Sequence, residues 1–264
     1  MGPVGRGYTI ARKEGWRELL SAAKQYIYRN ARKRYWGLSK SATLTAGDIR
    51  AEFGTDGRTP HSLQMFERGE RDTLVDILAE VTPTDTFWDV GANIGYYSCF
   101  VGQRANVVAF EPSPLVAERC RRNLALNNVR APVHEVALSD HSRVTTLDPG
   151  IVARAESGPV EVRTERGDRV AQDVTSPTVV KMDVEGTELE AIEGMEKTLQ
   201  ADRCRLFYCE VHTGQTADRK SLADYGETLD SFIYRVEDMG FEVEMLKERD
   251  EEAHIKAKKG DATT

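Results

Sequence analysis

Hydrophobic positions change their spacing along the chain, and the change divides it into two segments. Over residues 11–36 the apolar side chains recur at helical spacing, at Trp16, Leu19, Leu20, Ala23, Tyr26, Ile27 and Ala31. This pattern predicts one amphipathic helix, which Gly37 is suited to end. A Ser/Thr/Gly-rich link follows through about Gly57. We therefore expect an N-terminal segment of residues 1–57 and a main domain of residues 58–264.

From residue 67 onward, short apolar runs alternate with helical patterns. Strands are predicted over residues 87–90, 106–110, 133–138, 144–147, 160–162, 179–184 and 205–211. Helices are predicted over residues 67–80, 113–127, 187–199 and 221–239, and the segment from Phe241 predicts two strands joined by a charged turn. Such alternation is typical of an α/β fold, in which helices cover both faces of a mostly parallel sheet. The terminal strand pair adds an antiparallel strand.

Charge is distributed unevenly over the 264 residues, whose formal net charge is −7. Residues 1–40 hold ten Lys/Arg and two Asp/Glu, whereas the rest of the chain holds 26 and 41. A main domain this acidic argues against a general nucleic-acid-binding protein. The basic amphipathic helix over residues 11–36 is suited to peripheral contact with an anionic membrane surface. Packing of the same helix on the acidic main domain is the alternative.

Cysteine spacing and hydropathy predict the cellular setting. The four cysteines form no C-x-x-C pair and have no histidine cluster beside them, so we expect reduced thiols and no zinc site. No apolar run approaches the roughly 20 residues of a membrane span. The N-terminus has no secretory signal pattern. We expect a cytoplasmic protein, with a peripheral position at the inner membrane face as the alternative.

Candidate chemistry begins where the first strand of the main domain ends, because ligands of such sheets bind beyond the carboxyl ends of the strands. There the chain reads Asp-Val-Gly-Ala-Asn-Ile-Gly from Asp89. Gly91 and Gly95 permit a tight turn that brings the backbone close to a ligand. Glu111 ends the next strand, at the position of an acid that binds two ribose hydroxyls. An ordinary turn and a surface carboxylate are the alternatives.

Polar residues also follow three later strands. Ser139 and Asp140 are candidates to meet an adenine edge, with a plain turn as the alternative. Asp183 and Glu185 are two residues apart and share one side of an extended strand, where repulsion favours a cation, a proton or a ligand between them. His212 is a candidate base, although a solitary histidine is more often structural.

These segments together resemble the FkbM family of S-adenosylmethionine-dependent methyltransferases. The resemblance rests on FWDVGANIGYYS, VVAFEPSP, ALSD, KMDVEGTELEAIEGM and EVH, between Phe87 and His212. It implies a class I methyltransferase fold, Rossmann-like, with a seven-stranded sheet whose last strand is antiparallel. It also implies O-methylation of a hydroxyl group on a sugar, glycolipid or secondary metabolite. The cofactor-binding residues that it implies are Asp89, Gly91, Asn93, Gly95, Glu111, Ser139 and Asp140.

The acceptor side allows more than one mechanism. Asp183, Glu185 and His212 are the candidate catalytic residues, and His212 or Asp183 could remove the hydroxyl proton. A divalent cation held by Asp183 and Glu185 is an alternative, although no metal is predicted. A non-catalytic cofactor-binding or assembly module on the same fold remains a second possibility. A nicotinamide-dependent oxidoreductase is a third, and the missing third glycine of the dinucleotide fingerprint argues against it.

Overall fold

A computed structural model of the chain describes residues 39–55, 63–64, 66–67, 69–147, 160–214, 219–249 and 251–260. The helix predicted over residues 11–36 lies outside these residues. Among the described helices, none is long and apolar enough to cross a membrane.

The elements follow one another as the alternating pattern predicts. The strands are β1 (Ser41–Ala46), β2 (Ile49–Gly54), β3 (Thr86–Val90), β4 (Asn106–Phe110), β5 (Val133–His134), β6 (Ala137–Leu138), β7 (Arg143–Leu147), β8 (Val160–Glu165), β9 (Val179–Met182), β10 (Leu206–His212), β11 (Glu242–Glu248) and β12 (Glu252–Lys258). The helices are α1 (Arg71–Glu80), α2 (Tyr96–Val101), α3 (Pro114–Leu126), α4 (Gly167–Val170), α5 (Glu188–Gly194), α6 (Glu196–Gln200) and α7 (Leu229–Asp238), with a 3₁₀ turn over Leu222–Tyr225.

Seven strands form the central sheet in the order β11-β12-β10-β9-β3-β4-β5. β9, β3, β4, β5 and β10 pair in parallel, whereas β12 runs antiparallel to both of its neighbours. The predicted fold class is thus confirmed, with the last strand lying one position in from the sheet edge. Strand order reverses between β3 and β9, which is where a ligand crevice is expected in an open α/β sheet.

Each face of the sheet carries its own apolar core. Phe87 and Tyr208 lie on the face covered by α1, α2 and α3, and Trp88 and Phe207 lie on the face covered by α5 and α7. The central strands are short continuous apolar runs because both of their faces are buried. This two-sided burial fixes the carboxyl ends of β3, β4, β9 and β10 beside one another.

The segment predicted as a link through Gly57 contains a buried hairpin instead. β1 and β2 pair antiparallel, and Phe53 of β2 is fully buried against Tyr96 and Phe100 of α2. The amide side chain of Asn127 at the end of α3 exchanges two 2.7 Å hydrogen bonds with the backbone of Glu52. Residues 41–54 therefore belong to the main domain, because their apolar positions complete its core.

Three predicted elements are divided in the structure. The strand expected over residues 133–138 is split, because β6 leaves the central sheet and pairs with β8 in a separate three-stranded sheet. The helix expected over residues 187–199 is interrupted at Met195, between α5 and α6. The helix expected over residues 221–239 begins as the 3₁₀ turn and is interrupted at Gly226, whose φ is +71°.

Candidate functional site

The glycine turn after β3 is packed directly on the end of β9. Gly91 has φ +81°, and its N–H donates to the Phe110 carbonyl over 3.0 Å. A Cβ at Gly91 would lie 1.8 Å from the backbone oxygen of Asp183. The Asp183 N–H in turn donates to the Val90 carbonyl over 2.9 Å. The turn predicted for cofactor binding and the acid predicted for the acceptor side are therefore in contact through their backbones.

Glu111 closes the same turn from β4. Its two carboxylate oxygens accept hydrogen bonds from the backbone N–H groups of Asn93, over 3.0 Å, and Ser113, over 2.9 Å. Burial raises the pKa of Glu111 to about 7, against the lowering effect of those two donors. A carboxylate oxygen has two lone pairs, so each oxygen retains acceptor capacity for a ribose hydroxyl.

Asn93 and Gly95 shape the loop through their backbones. Asn93 has φ +53°, and its side-chain oxygen accepts the N–H of Ile94 over 2.8 Å. Gly95 has φ +82° and precedes α2, where a Cβ would lie 2.9 Å from the Cys120 sulfur. Asparagine tolerates the left-handed conformation better than most residues. In this conformation the Asn93 backbone N–H points toward Glu111.

Asp89 is buried beneath the turn and fixes the start of α2. Its Oδ2 accepts the N–H of Ser98 over 3.0 Å and the Ser98 hydroxyl over 2.5 Å. Its Oδ1 is buried with no hydrogen-bond partner in the described part of the chain. Burial raises the pKa of Asp89, and the nearby Lys181 opposes that effect. An unpaired buried carboxylate oxygen here is suited to a cationic group of a ligand.

Ser139 and Asp140 contact residues of α5. The backbone oxygen of Ser139 lies against Gly194, where a Cβ would come within 1.8 Å of it. The Ser139 hydroxyl donates to Asp140 over 3.1 Å and to Glu190 over 3.3 Å. Asp140 also bonds the ring of His141. Their side chains thus form a polar cluster with the residues of α5.

Asp183 follows β9 and is paired with a buried lysine. The Lys181 ammonium lies 3.1 Å from Asp183 Oδ2 and 4.6 Å from the centre of the Tyr97 ring. Burial acts to raise the pKa of Asp183, but the charge and hydrogen bond of Lys181 together with the charges of His212 and His254 outweigh it, and the net effect is a lowered pKa. Asp183 Oδ1 is buried without a hydrogen-bond partner among the described residues. The sequence analysis did not select Lys181 as a site residue, because a lysine within an apolar strand gives no sign of its partners.

His212 is held by a carboxylate that the sequence analysis did not select. His212 is 1% exposed, and its Nδ1 lies 2.7 Å from Oε1 of the fully buried Glu188. The same oxygen accepts the N–H of Gly186 over 2.8 Å. Burial acts to lower the pKa of His212, and the hydrogen bond with Glu188 raises it overall. Glu188 lies three residues beyond Glu185, at the start of α5. That spacing is the sequence feature that could have identified Glu188 as a site residue.

Glu210 is a second residue that the sequence analysis missed. It lies on β10, on the face of the sheet that also carries Lys181, and it pairs in register with His254 of β12. Burial, followed by the charges of Asp183 and Glu70, raises the pKa of Glu210 to about 11. Glu210 Oε2 and His254 Nε2 are both buried and lie 3.5 Å apart, and neither makes a hydrogen bond within the described residues. The sequence places Glu210 two residues before His212, so both lie on one side of the strand.

Glu185 lies at the rim of this group. It has φ +57°, its side chain is 64% exposed, and its Oε2 lies 3.4 Å from Arg219 and 3.8 Å from His212 Nε2. Burial and the charge of Asp183 raise its pKa. The structure therefore brings Asp183, Glu185 and His212 together, and Glu210 of β10 lies with them.

Sequence comparisons match this chain to a family model and to a relative. The sequence model of the methyltransferase FkbM domain matches residues 89–243. The hexuronic acid methyltransferase AglP of Haloferax volcanii is 36% identical over 202 residues, which cover 70% of this chain and 82% of that protein.

A comparison with one solved structure supports the fold. The crystal structure of methyltransferase FkbM from Methylobacillus flagellatus matches with a TM-score of 0.50 and 16% identity. The match covers 69% of this chain and 46% of that one, so this chain spans about half the length of that structure. Magnesium protoporphyrin IX methyltransferase of Synechocystis, solved with bound S-adenosylmethionine, matches with a TM-score of 0.48 and 14% identity, over 78% of this chain and 86% of that one.

Proposed function

This chain belongs to the FkbM family of S-adenosylmethionine-dependent methyltransferases, and we propose that it methylates a hydroxyl oxygen of a sugar, in particular of a hexuronic acid or a glycolipid that contains one. The sugar class is supported by the relative AglP, whose name specifies a hexuronic acid. The observation that carries the proposal is the contact between the Gly91 turn and the Asp183 backbone. That contact joins the cofactor side and the acceptor side of one site.

The residues of the glycine turn fit the cofactor. Glu111 has the acceptor capacity to bind the ribose hydroxyls, and the unpaired Asp89 Oδ1 supplies a negative charge beneath the turn. The polar cluster of Ser139 and Asp140 takes the adenine side. S-adenosylmethionine supplies a methyl group carried on a positively charged sulfur. A carboxylate beneath the turn suits that charge, whereas it would repel a pyrophosphate.

The acceptor hydroxyl lies at the group formed by Asp183, Glu185 and His212. Asp183 Oδ1 and His212 Nε2 line the acceptor position, and both atoms are buried without other partners in the described residues. Glu185 takes the proton, since it is the exposed carboxylate of the group and its raised pKa improves it as a base. Alignment of the hydroxyl oxygen with the methyl carbon then supplies several kcal/mol of the acceleration. With the family established, the oxidoreductase and the non-catalytic module are set aside.

The test uses methyl-labelled S-adenosylmethionine with matched acceptors. We expect transfer to an oligosaccharide that ends in a hexuronic acid, and less transfer to the oligosaccharide that ends in the corresponding neutral hexose. A methyl ether at a hydroxyl resists mild alkali, whereas a methyl ester at the uronic carboxylate releases labelled methanol. Label released by alkali would overturn the assignment to a hydroxyl oxygen, and absence of transfer to any sugar would overturn the acceptor class.

A single substitution separates the two sides of the site. Asp183→Asn preserves the size of the side chain and removes its charge, so we expect turnover to fall far more than cofactor affinity measured by calorimetry. Glu111→Gln is the matched control, because it removes a charge from the cofactor side and should act mainly on that affinity. Equal effects of both variants on cofactor affinity would contradict the assigned roles.

A further inference from the structure

We propose that Asp183, Glu210 and His212 bind a divalent transition-metal cation at the acceptor side of the site. One oxygen from each carboxylate and one ring nitrogen of the histidine lie within 4.8 Å of one another. Asp183 Oδ1 and His212 Nε2 are buried and have no hydrogen-bond partner in the described residues, and Glu210 Oε1 lies 3.8 Å from that nitrogen. Two unpaired acceptors beside a further carboxylate oxygen are suited to a cation, since a ligand that offered only acceptor atoms would leave them unsatisfied.

His212 has the arrangement of a metal-binding histidine. Its Nδ1 lies 2.7 Å from Glu188 Oε1, and Glu188 is itself fixed by the N–H of Gly186. When Nδ1 donates its hydrogen to Glu188, Nε2 carries a lone pair and lies 3.8 Å from Glu210 Oε1. A carboxylate that holds the second ring nitrogen fixes the tautomer and the orientation of such a ligand. Glu188 is thus a positioning residue for His212.

The surrounding charges also favour a cation. Asp183, Glu188 and Glu210 place carboxylates close together beneath the surface, and Lys181 is the buried cation paired with Asp183. Lys181 directs its ammonium at Asp183 Oδ2, which leaves Oδ1 free. Buried charges without compensation are costly, and a divalent cation compensates two of them.

Three neighbouring groups of acids and histidines are less suited to hold an ion. In the group of Glu70, Glu210 and His254, Glu70 already accepts the Tyr97 hydroxyl over 2.6 Å. Glu185 is exposed and pairs with Arg219, so the acid pair Asp183 and Glu185 that the sequence suggested does not form the ligand set.

The third group is Asp140, His141 and Glu190. Asp140 bonds the His141 ring, and Glu190 accepts from the hydroxyl of Tyr225 over 2.6 Å and the ammonium of Lys220 over 3.0 Å. These hydrogen bonds occupy the atoms that an ion would need.

The role of the ion rests on the proposed methyl transfer. A hydroxyl bound to the cation becomes more acidic, so its proton passes to Glu185 at the rim. The oxygen lone pair then forms the bond to the methyl carbon, and the electrons of the breaking carbon–sulfur bond remain on sulfur as a neutral thioether. The cation changes no oxidation state. Two carboxylates and one imidazole favour Mn²⁺ or Zn²⁺ over Mg²⁺, which prefers oxygen ligands alone.

The experiment measures Mn²⁺ binding by electron paramagnetic resonance with the purified, chelator-treated full chain. We expect one bound Mn²⁺ per chain, displaced by Zn²⁺ more readily than by Mg²⁺. His212→Asn and Asp183→Asn should each weaken binding at least tenfold, and Glu188→Gln should weaken it by about 10–100-fold. His134→Asn is the matched control and should leave the affinity unchanged, because His134 also has a buried Nε2 without a hydrogen-bond partner in the described residues, but lies on β5, which β3 and β4 separate from β9.

A spectroscopic readout keeps the test independent of folding and of methyl transfer. Electron spin echo modulation from a coordinated nitrogen should be present in the wild-type chain and in His134→Asn. Any Mn²⁺ that His212→Asn still binds should lack this modulation. A chain that binds no Mn²⁺, or binds it without nitrogen modulation, overturns the site. Loss of affinity in His134→Asn but not in His212→Asn overturns the ligand set. Binding with these signatures supports the site even if no sugar is methylated.

Discussion

The contact between Gly91 and Asp183 leads to a sharp prediction for Gly91→Ala. The new Cβ would lie 1.8 Å from the Asp183 carbonyl oxygen and 2.8 Å from its carbon, both of them backbone atoms. The backbone there has φ +81°, a conformation that residues with a Cβ adopt at a cost. The Asp183 N–H donates to the Val90 carbonyl at the end of β3. β3 and β9 therefore cannot move apart without losing that hydrogen bond.

The expected loss of stability has two parts. A left-handed conformation costs a residue other than glycine roughly 1–2 kcal/mol. An atom forced into a packed region costs about 1–3 kcal/mol more. We therefore expect Gly91→Ala to lower the free energy of unfolding by about 2–5 kcal/mol.

Gly47→Ala supplies the matched control. Gly47 has φ +58°, and a Cβ there would meet nothing within 4 Å. Its substitution should incur only the conformational cost of roughly 1–2 kcal/mol. Urea unfolding of both variants and the wild type, followed by circular dichroism, measures the difference. Calorimetric titration with S-adenosylmethionine then reports whether the cofactor side has moved with the strand.

The result also separates two explanations of the glycine. The sequence analysis assigned Gly91 to close approach of a ligand, in which case the alanine variant would lose cofactor affinity and keep the stability of Gly47→Ala. The structure assigns it to the contact with β9, so stability should fall further than in the control. Equal unfolding free energies for the two variants would refute the reasoning.

Three further predictions test other parts of the molecule. Burial raises the pKa of Glu111 to about 7, and ribose hydroxyls donate to its charged form, so cofactor affinity should strengthen as pH rises through that value. In Glu111→Gln, calorimetry should find no such pH dependence. At pH values above that pKa, the variant should bind the cofactor about 1.5–3 kcal/mol more weakly than the wild type. Burial acts to raise the pKa of Asp85, but hydrogen bonds from Arg205 and Thr178 lower it to about 2. Asp85→Asn should therefore lower the unfolding free energy by about 1–2 kcal/mol at neutral pH, a deficit that shrinks as acid titrates the wild-type carboxylate toward that pKa. Phe53→Ala should cost about 3–5 kcal/mol in thermal or urea unfolding if β2 is part of the core, and almost nothing if it is a link.

The central strands and their polar ends were predictable because each carries its own signal. Residues 106–110 form a strand with the predicted limits, since a strand buried on both faces is a continuous apolar run. β3 begins one residue before the prediction, and β10 begins and ends one residue after it. The positions of Asp89, Glu111 and Asp183 follow directly, because each comes at or after the end of such a run.

The hairpin and the departure of β6 were not predictable from local patterns. Residues 41–54 alternate apolar and polar positions, but their Ser, Thr and Gly content is equally typical of a link. Their burial depends on Asn123 and Asn127 of α3, about 70 residues away, which donate to and accept from the backbone of β2. β6 pairs with β8 rather than with the central sheet, and no feature of the sequence over residues 133–138 indicates this pairing.

The polar layer on one face of the sheet explains why the site residues around Asp183 were found incompletely. Asp89 pairs in register with Lys181, and Glu210 pairs in register with His254. Each pair places two polar or charged residues side by side on adjacent strands. Each of them alone is a single polar residue inside an apolar strand, and only strand pairing brings them together. Burying such a layer is costly, and sequences keep unfavourable residues mainly where function needs them. The layer lies at the carboxyl ends of the strands, directly beneath the groups assigned to the cofactor and the acceptor. The cost is thereby confined to the place where free acceptor atoms and closely spaced charges serve binding and catalysis, and the apolar remainder of both cores maintains the fold.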